Sequence, residues 1–170
     1  MHTITFSPAQ IWQMLENVFD PEVPVLSVVD LGIIRHVQVT EGQGGTLVQV
    51  TITPTYSGCP AMDMIAANIR MELLLSGVHQ VEIVSQLSPA WTTDWMSESG
   101  KAKLQEYGIA PPVAKLSACG GMEPDEQQGI KCPRCSSLRT HVVSHFGSTA
   151  CKALHQCLDC KEPFDYYKCH

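Results

Sequence analysis

The chain has 170 residues and no apolar run near the roughly 20 residues that a membrane-spanning helix requires. A membrane protein is therefore not expected. Met1 to Phe6 lack the charged region and following apolar stretch of a secretion signal, so the cytoplasm is the expected compartment. No G-x-G-x-x-G turn joins a strand to a helix, which leaves no fingerprint for a flavin or nicotinamide cofactor. No Glu-x-x-His pair is present either: Glu72 is followed three positions later by Leu75, and Glu82 by Ser85. A resident di-iron centre of the helix-bundle kind needs such pairs. Internal repeats and low-complexity blocks are also missing.

Basic residues are scarce over most of the length. Residues 1–130 hold five Lys and Arg against fourteen Asp and Glu, a balance of −9. Residues 131–170 hold six against three, a balance of +3. The longer segment repels a phosphate backbone and the shorter one is only mildly basic, so nucleic acid is not an expected partner.

What the chain does have is cysteine. Cys132-Pro133-Arg134-Cys135 and Cys157-Leu158-Asp159-Cys160 are two C-x-x-C turns with twenty-one residues between their inner cysteines. Two thiolates three positions apart grip one metal ion from a tight turn, and a second such turn completes a tetrahedron. The spacer is long enough for a hairpin or two. These features predict a zinc ribbon in which Cys132, Cys135, Cys157 and Cys160 hold structural Zn2+. Reactive redox pairs or disulfides are the competing reading, and thiolate ligands alone do not separate zinc from iron. Eight cysteines in this pattern, without a secretion signal, suit metal binding in a reducing compartment.

Ser7-Pro8-Ala9-Gln10 has the form of a capping box with Pro at the first helical position. Ile11, Met14, Leu15, Val18 and Phe19 follow at helical spacing and predict an amphipathic helix. Asp20-Pro21-Glu22-Val23-Pro24 stops it, and Asp30-Leu31-Gly32 reads as a turn. Strands are expected over Ile33–Thr40, Thr46–Thr53 and Val78–Leu87, with a glycine-rich hairpin loop at Glu41–Gly45. A helix is expected from Ala61 to about Ser76, with Met62, Ile65, Ile69 and Leu73 on one face. Strand, helix and strand imply a crossover that makes the second and third strands parallel. Thr92 or Thr93 is placed to cap a short helix reaching Tyr107, with Gly108 as its stop.

The fold class is therefore α+β: a small mixed-sheet α/β sandwich, in the order αββαβ plus a short helix, followed by a β-rich zinc ribbon. The expected domains are residues 1–108 and 131–170. Residues 109–130 carry Pro111-Pro112, Gly120-Gly121 and Glu123-Pro124-Asp125-Glu126, a linker composition.

Cys59 lies between Gly58 and Pro60, beside the expected start of a helix. Orphan amides and the positive end of the helix dipole favour a thiolate there, and the preceding loop leaves the sulfur reachable. A small buried packing residue is the alternative. Asp20, Glu22 and Asp30 read either as loop-amide acceptors or as the polar wall of a pocket beside a reactive site. In the ribbon, Cys151 precedes Lys152 and is a fifth sulfur for metal transfer, an alternative ligand displacing one of the four ribbon cysteines, or a buried or incidental residue. Cys119 and Cys169 suggest nothing beyond oxidation.

At Asp20-Pro21-Glu22, Asp30-Leu31-Gly32 and Gly58-Cys59-Pro60 the chain resembles the small α/β domain of cytosolic iron–sulfur targeting factors and bacterial iron–sulfur assembly accessories. The likeness covers roughly residues 7–90. Phe146 to Ala153 and Glu162-Pro163-Phe164 resemble the phenylacetate-degradation D family, which belongs to the phenylacetyl-CoA epoxidase system. That resemblance implies a non-catalytic accessory that assists maturation of a complex built from a di-iron oxygenase and an iron–sulfur flavin reductase. It also implies that Cys59 is the functional thiol, a transient ligand for iron or an iron–sulfur cluster. One thiol is too few for a cluster, so the client, a second copy in a homodimer or Cys151 would share it. The reductase is the favoured client, because a soft thiolate suits an iron–sulfur cluster better than an oxygen-rich di-iron site. A structural component of the oxygenase is the alternative. A thiol enzyme with His36 or His79 as base is a weaker one.

Overall fold

The computed structural model describes residues 6–42, 45–56, 58–113 and 129–169. The chain divides into two compact units, residues 1–97 and 98–170.

In the first unit, helix α1 spans Pro8–Leu15, and both halves of the expected capping box form: Ser7 Oγ accepts from the Gln10 amide while the Gln10 side chain reaches back. The helix ends before Val18 and Phe19, which the periodicity had placed on it. Val28 N–H donates to the Val18 carbonyl at 2.8 Å and Asp20 N–H to that of Leu26 at 2.9 Å. These bonds fold residues 18–28 back on themselves, and Phe19 pairs with Ser27 as a β-bridge.

Strands β1 (Ile34–Gly42) and β2 (Gly45–Ile52) form an antiparallel hairpin, and β3 (Gln80–Ser85) lies parallel to β2. The expected parallel pair is present, in the order β1-β2-β3. Alternation in β2 buries Thr46, Val48, Val50 and Ile52. Helix α2 (Ala61–Leu75) buries Ala61, Ile65, Ile69 and Leu73 at helical spacing; Met62, expected with them, is only partly buried.

The expected helix from Thr92 to Tyr107 is broken in two. A 3-10 turn at Thr93–Trp95, capped by Thr92, belongs to the first unit. Helix α3 (Glu98–Tyr107) belongs to the second. The break is at Ser97, whose amide donates to the Asp30 carbonyl at 2.9 Å and whose hydroxyl donates to the Asp30 carboxylate at 2.8 Å.

The second unit contains a four-stranded mixed sheet in the order β4-β7-β6-β5: β4 (Ile109–Ala110), β5 (Thr140–Ser144), β6 (Lys152–Cys157) and β7 (Pro163–Tyr167). Gly108, at φ +93°, ends α3 as expected and turns the chain into β4. Ile109 and Ala110 pair with Asp165 and Tyr166 of β7 in parallel. The first residues assigned to a linker therefore belong to the ribbon's sheet. Residues 114–128, the rest of that linker apart from its ends, lie outside the described residues. The core of this unit gathers Ala110, Ile130, Cys132, Ala153, Cys157, Phe164 and Tyr166, so two of the metal-motif sulfurs are part of it. Among the described residues, no helix is long and apolar enough to cross a membrane.

Candidate functional site

The two C-x-x-C segments fold into the same turn. Cys132 N–H donates to the Ser137 carbonyl at 2.9 Å, and Ser136 N–H to that of Cys132 at 2.9 Å. Cys157 N–H donates to the Glu162 carbonyl at 3.0 Å, and Lys161 N–H to that of Cys157 at 3.1 Å. The residue after each second cysteine has positive φ, +64° at Ser136 and +66° at Lys161. That conformation usually falls to glycine; neither residue is one, so the sequence predicts the turns but not this backbone conformation. Ser137 also donates to the Asp159 carboxylate of the opposite turn, and Arg139 pairs with Asp159 at 2.8 Å.

The turns bring four sulfurs together. Cys132 and Cys160 Sγ are 3.7 Å apart, Cys135 and Cys157 Sγ are 3.5 Å apart, and all four lie within 4.8 Å of one another. A tetrahedron of Zn–S bonds of about 2.3 Å sets sulfurs roughly 3.8 Å apart, so the set fits zinc. The titration behaviour agrees with a cation site. The Cys160 amide, helped by that of Asp159, brings the Cys157 thiol down to about 7 against the effect of burial. The Glu162 amide favours a Cys160 thiolate, but burial and the sulfurs of Cys157, Cys135 and Cys132 push that thiol up to about 12. The Ser137 amide likewise favours a Cys135 thiolate, but the Cys157 sulfur and burial raise it. The raised Cys135 and Cys160 thiols resist ionisation unless a positive charge lies among the sulfurs, and a divalent metal would supply that charge.

Cys151 lies outside this group. It is buried, its sulfur is 3.0 Å from Thr149 Oγ1, and its carbonyl accepts from the Lys168 amide. The neighbouring Lys152 is buried and directed to Asp165, at 3.8 Å. Cys169 is disulfide-bonded, and Cys119 lies outside the described residues.

The second candidate centre is Cys59. It stands one position before the N-cap Pro60 and is partly exposed. Its carbonyl accepts from the Met62 amide at 3.3 Å and its amide donates to the Tyr56 carbonyl at 3.3 Å. These bonds hold the Cys59 backbone at the entrance to α2.

Two of the acidic residues expected near it, Asp20 and Asp30, accept hydrogen bonds from neighbouring donors. Asp20 Oδ1 accepts from the Glu22 amide at 2.6 Å and the Val23 amide at 2.9 Å, which shapes the Asp-Pro-Glu loop. Asp30 is buried and accepts from Ser27 N–H, Ser27 Oγ and Ser97 Oγ. Beside it, the Leu31 carbonyl accepts the Trp91 indole N–H at 2.9 Å. Gly32, at φ +68°, is so close to Trp95 that an added Cβ would fall 2.1 Å from its carbonyl oxygen. Asp30-Leu31-Gly32 therefore anchors the segment Trp91–Ser97. Of the two histidines considered as bases, His79 accepts the Thr46 amide at Nδ1, 3.3 Å away at the hairpin end, and His36 lies exposed on β1.

Fold and site together define a small α/β domain followed by a four-cysteine ribbon. Residues 8–83 match the family model described as iron-sulfur cluster assembly protein, and residues 118–168 match the PaaD zinc beta ribbon domain. The chain is 46% identical to the Escherichia coli (strain K12) protein named as the putative D subunit of 1,2-phenylacetyl-CoA epoxidase, over 97% of this chain and 96% of that one. This chain belongs to the PaaD family. Its first domain is 43% identical to a protein of Porphyromonas gingivalis named Fe-S protein maturation auxiliary factor, over 55% of this chain and 87% of that one. A crystal structure of a domain of unknown function, DUF59, from Bacillus anthracis superposes with a TM-score of 0.51 at 28% identity, covering 56% of this chain and 89% of that one.

Proposed function

We propose that this chain is a maturation factor for an iron-containing protein of a 1,2-phenylacetyl-CoA epoxidase system. In this reading Cys59 is a transient thiolate ligand for iron or an iron–sulfur cluster, and zinc on Cys132, Cys135, Cys157 and Cys160 shapes the ribbon that meets the client. The observation that carries it is the reachable sulfur at the entrance of α2, inside a domain whose relatives are named for Fe–S protein maturation. The epoxidase context rests on the name of the full-length Escherichia coli relative. The role is accessory rather than catalytic, and the iron–sulfur flavin reductase is the favoured client over the di-iron oxygenase component, because a thiolate matches a soft cluster iron.

The test is to produce the reductase with this chain, without it, and with Cys59→Ala, and to compare iron–sulfur absorbance per flavin. The expected result is higher occupancy with the native chain only, and a complex at low salt that weakens as the acidic first domain and basic ribbon are screened. Equal occupancy in all three preparations removes the reductase assignment and moves the test to iron content of the di-iron component. The Escherichia coli relative is named for a place within the epoxidase itself, which favours a second reading, a structural component of the oxygenase. Fixed stoichiometry in purified active oxygenase would support that reading, whereas a maturation factor is needed only before activity appears.

A further inference from the structure

Helix α2 buries one face in its own domain, yet its outer face is also apolar. Met64, Met71, Leu74 and Leu75 are 56%, 59%, 48% and 80% exposed, and Ala67 is exposed between them. Met64, Ala67, Met71 and Leu74 repeat with the 3-4-3 spacing of a two-heptad coiled-coil seam. The flank beside this seam carries Asp63 and Arg70, both exposed, of opposite sign, seven residues and so two turns apart. Neither makes an ion pair with another described residue.

We propose that this face docks a second copy of the chain, α2 against α2 in antiparallel orientation. The argument for a second copy is the self-complementary charge. A twofold axis perpendicular to the seam brings each flank against the same flank of the other helix. With that axis between Ala66 and Ala67, Asp63 of each copy meets Arg70 of the other, and the pair forms twice. Ala67, the smallest residue of the seam, then sits where the two helices approach most closely. A parallel pairing would instead oppose Asp63 to Asn68 and Arg70 to Leu75, with no charge match. Methionine side chains at the crossing adapt their shape to one another at little cost.

Two heptads bury far less than the roughly 800 Å² per partner of a standard stable interface, so the association is weak and concentration-dependent. It also leaves the two Cys59 sulfurs at opposite ends of the seam, roughly 20 Å apart or more at 1.5 Å per residue. The second copy therefore does not complete the Cys59 ligand set. Leu74 and Leu75 of each copy instead lie over the entrance to the other's α2.

The experiment is a dilution series of the full metal-loaded chain by sedimentation velocity. A reversible dimer is expected for the native chain. Arg70→Asp should weaken it at least tenfold, because two attractions become two repulsions, and Asp63→Arg with Arg70→Asp should restore it. Met71→Glu should give monomer, with unchanged circular dichroism showing that the fold is intact. A chain that stays monomeric up to ~1 mM, where even feeble association is visible, overturns the proposal. So does a dimer indifferent to Arg70→Asp and Met71→Glu.

Discussion

Replacing Cys132 with Ser tests the metal centre most directly. Cys132 is fully buried, and its sulfur belongs both to the tetrahedron and to the ribbon's apolar core. Structural zinc in small cysteine domains contributes an apparent ~10–16 kcal/mol at neutral pH. That is comparable to or larger than the ~5–15 kcal/mol that holds an ordinary domain together. Losing one of four thiolates, and so the metal, should unfold the ribbon rather than loosen it. Two measurements check this: zinc per chain by elemental analysis, and limited proteolysis mapped by mass. The native chain should carry about one zinc and resist cleavage. The variant should carry little zinc and be cut within residues 129–169, while a fragment containing residues 6–97 survives with its helical signal. The reasoning fails if the variant keeps its zinc, or if the metal-free ribbon stays resistant to protease.

Three further outcomes follow from the geometry. Gly32→Ala should destabilise the first unit by about 2 kcal/mol or more in urea melts, since positive φ and the Trp95 carbonyl both oppose a Cβ. Asp30→Ala should cost roughly 2–4 kcal/mol and free the Trp91–Ser97 segment, visible as a shift in tryptophan fluorescence, because three donors lose a buried acceptor. Tyr166→Phe should be neutral or stabilising by up to about 1 kcal/mol, since the buried Tyr166 hydroxyl makes no well-formed hydrogen bond. Burial also pushes the Tyr166 pKa above 10, outweighing the opposite pull of the nearby Val113 backbone. The folded state then holds its proton longer than the unfolded one, so stability falls as pH rises beyond 10, and Tyr166→Phe should flatten that fall in thermal melts.

The sequence was most legible where a short segment carries its own instructions. The capping box at Ser7–Gln10, the alternation of β2 and the four metal-site cysteines each declare themselves within a few residues, and the structure contains them all. Contacts across long separations were not legible. Nothing local to Asp30-Leu31-Gly32 announces that Trp91, Trp95 and Ser97 will close over it, some sixty residues later. The break between the 3-10 turn and α3 has the same origin, a tertiary hydrogen bond overriding helical propensity. The positive φ of Ser136 and Lys161 was hidden because neither is glycine. On α2, Ile65, Ile69 and Leu73 at helical spacing account for one buried face, and that spacing alone says nothing about the apolar residues opposite them.

The four sulfurs of the ribbon are not equivalent, and this sets the order in which the centre can be dismantled. Each turn contributes one sealed ligand, Cys132 or Cys157, and one nearer the solvent, Cys135 or Cys160. A chelator, an oxidant or a competing thiol meets only the outer pair at first, while the inner pair stays clamped by Phe164, Tyr166 and Ile130. Removal of a metal from this site would thus begin at the surface but be completed only when the core opens. An ion held here would sit behind a lock whose first half is chemical and whose second half is mechanical.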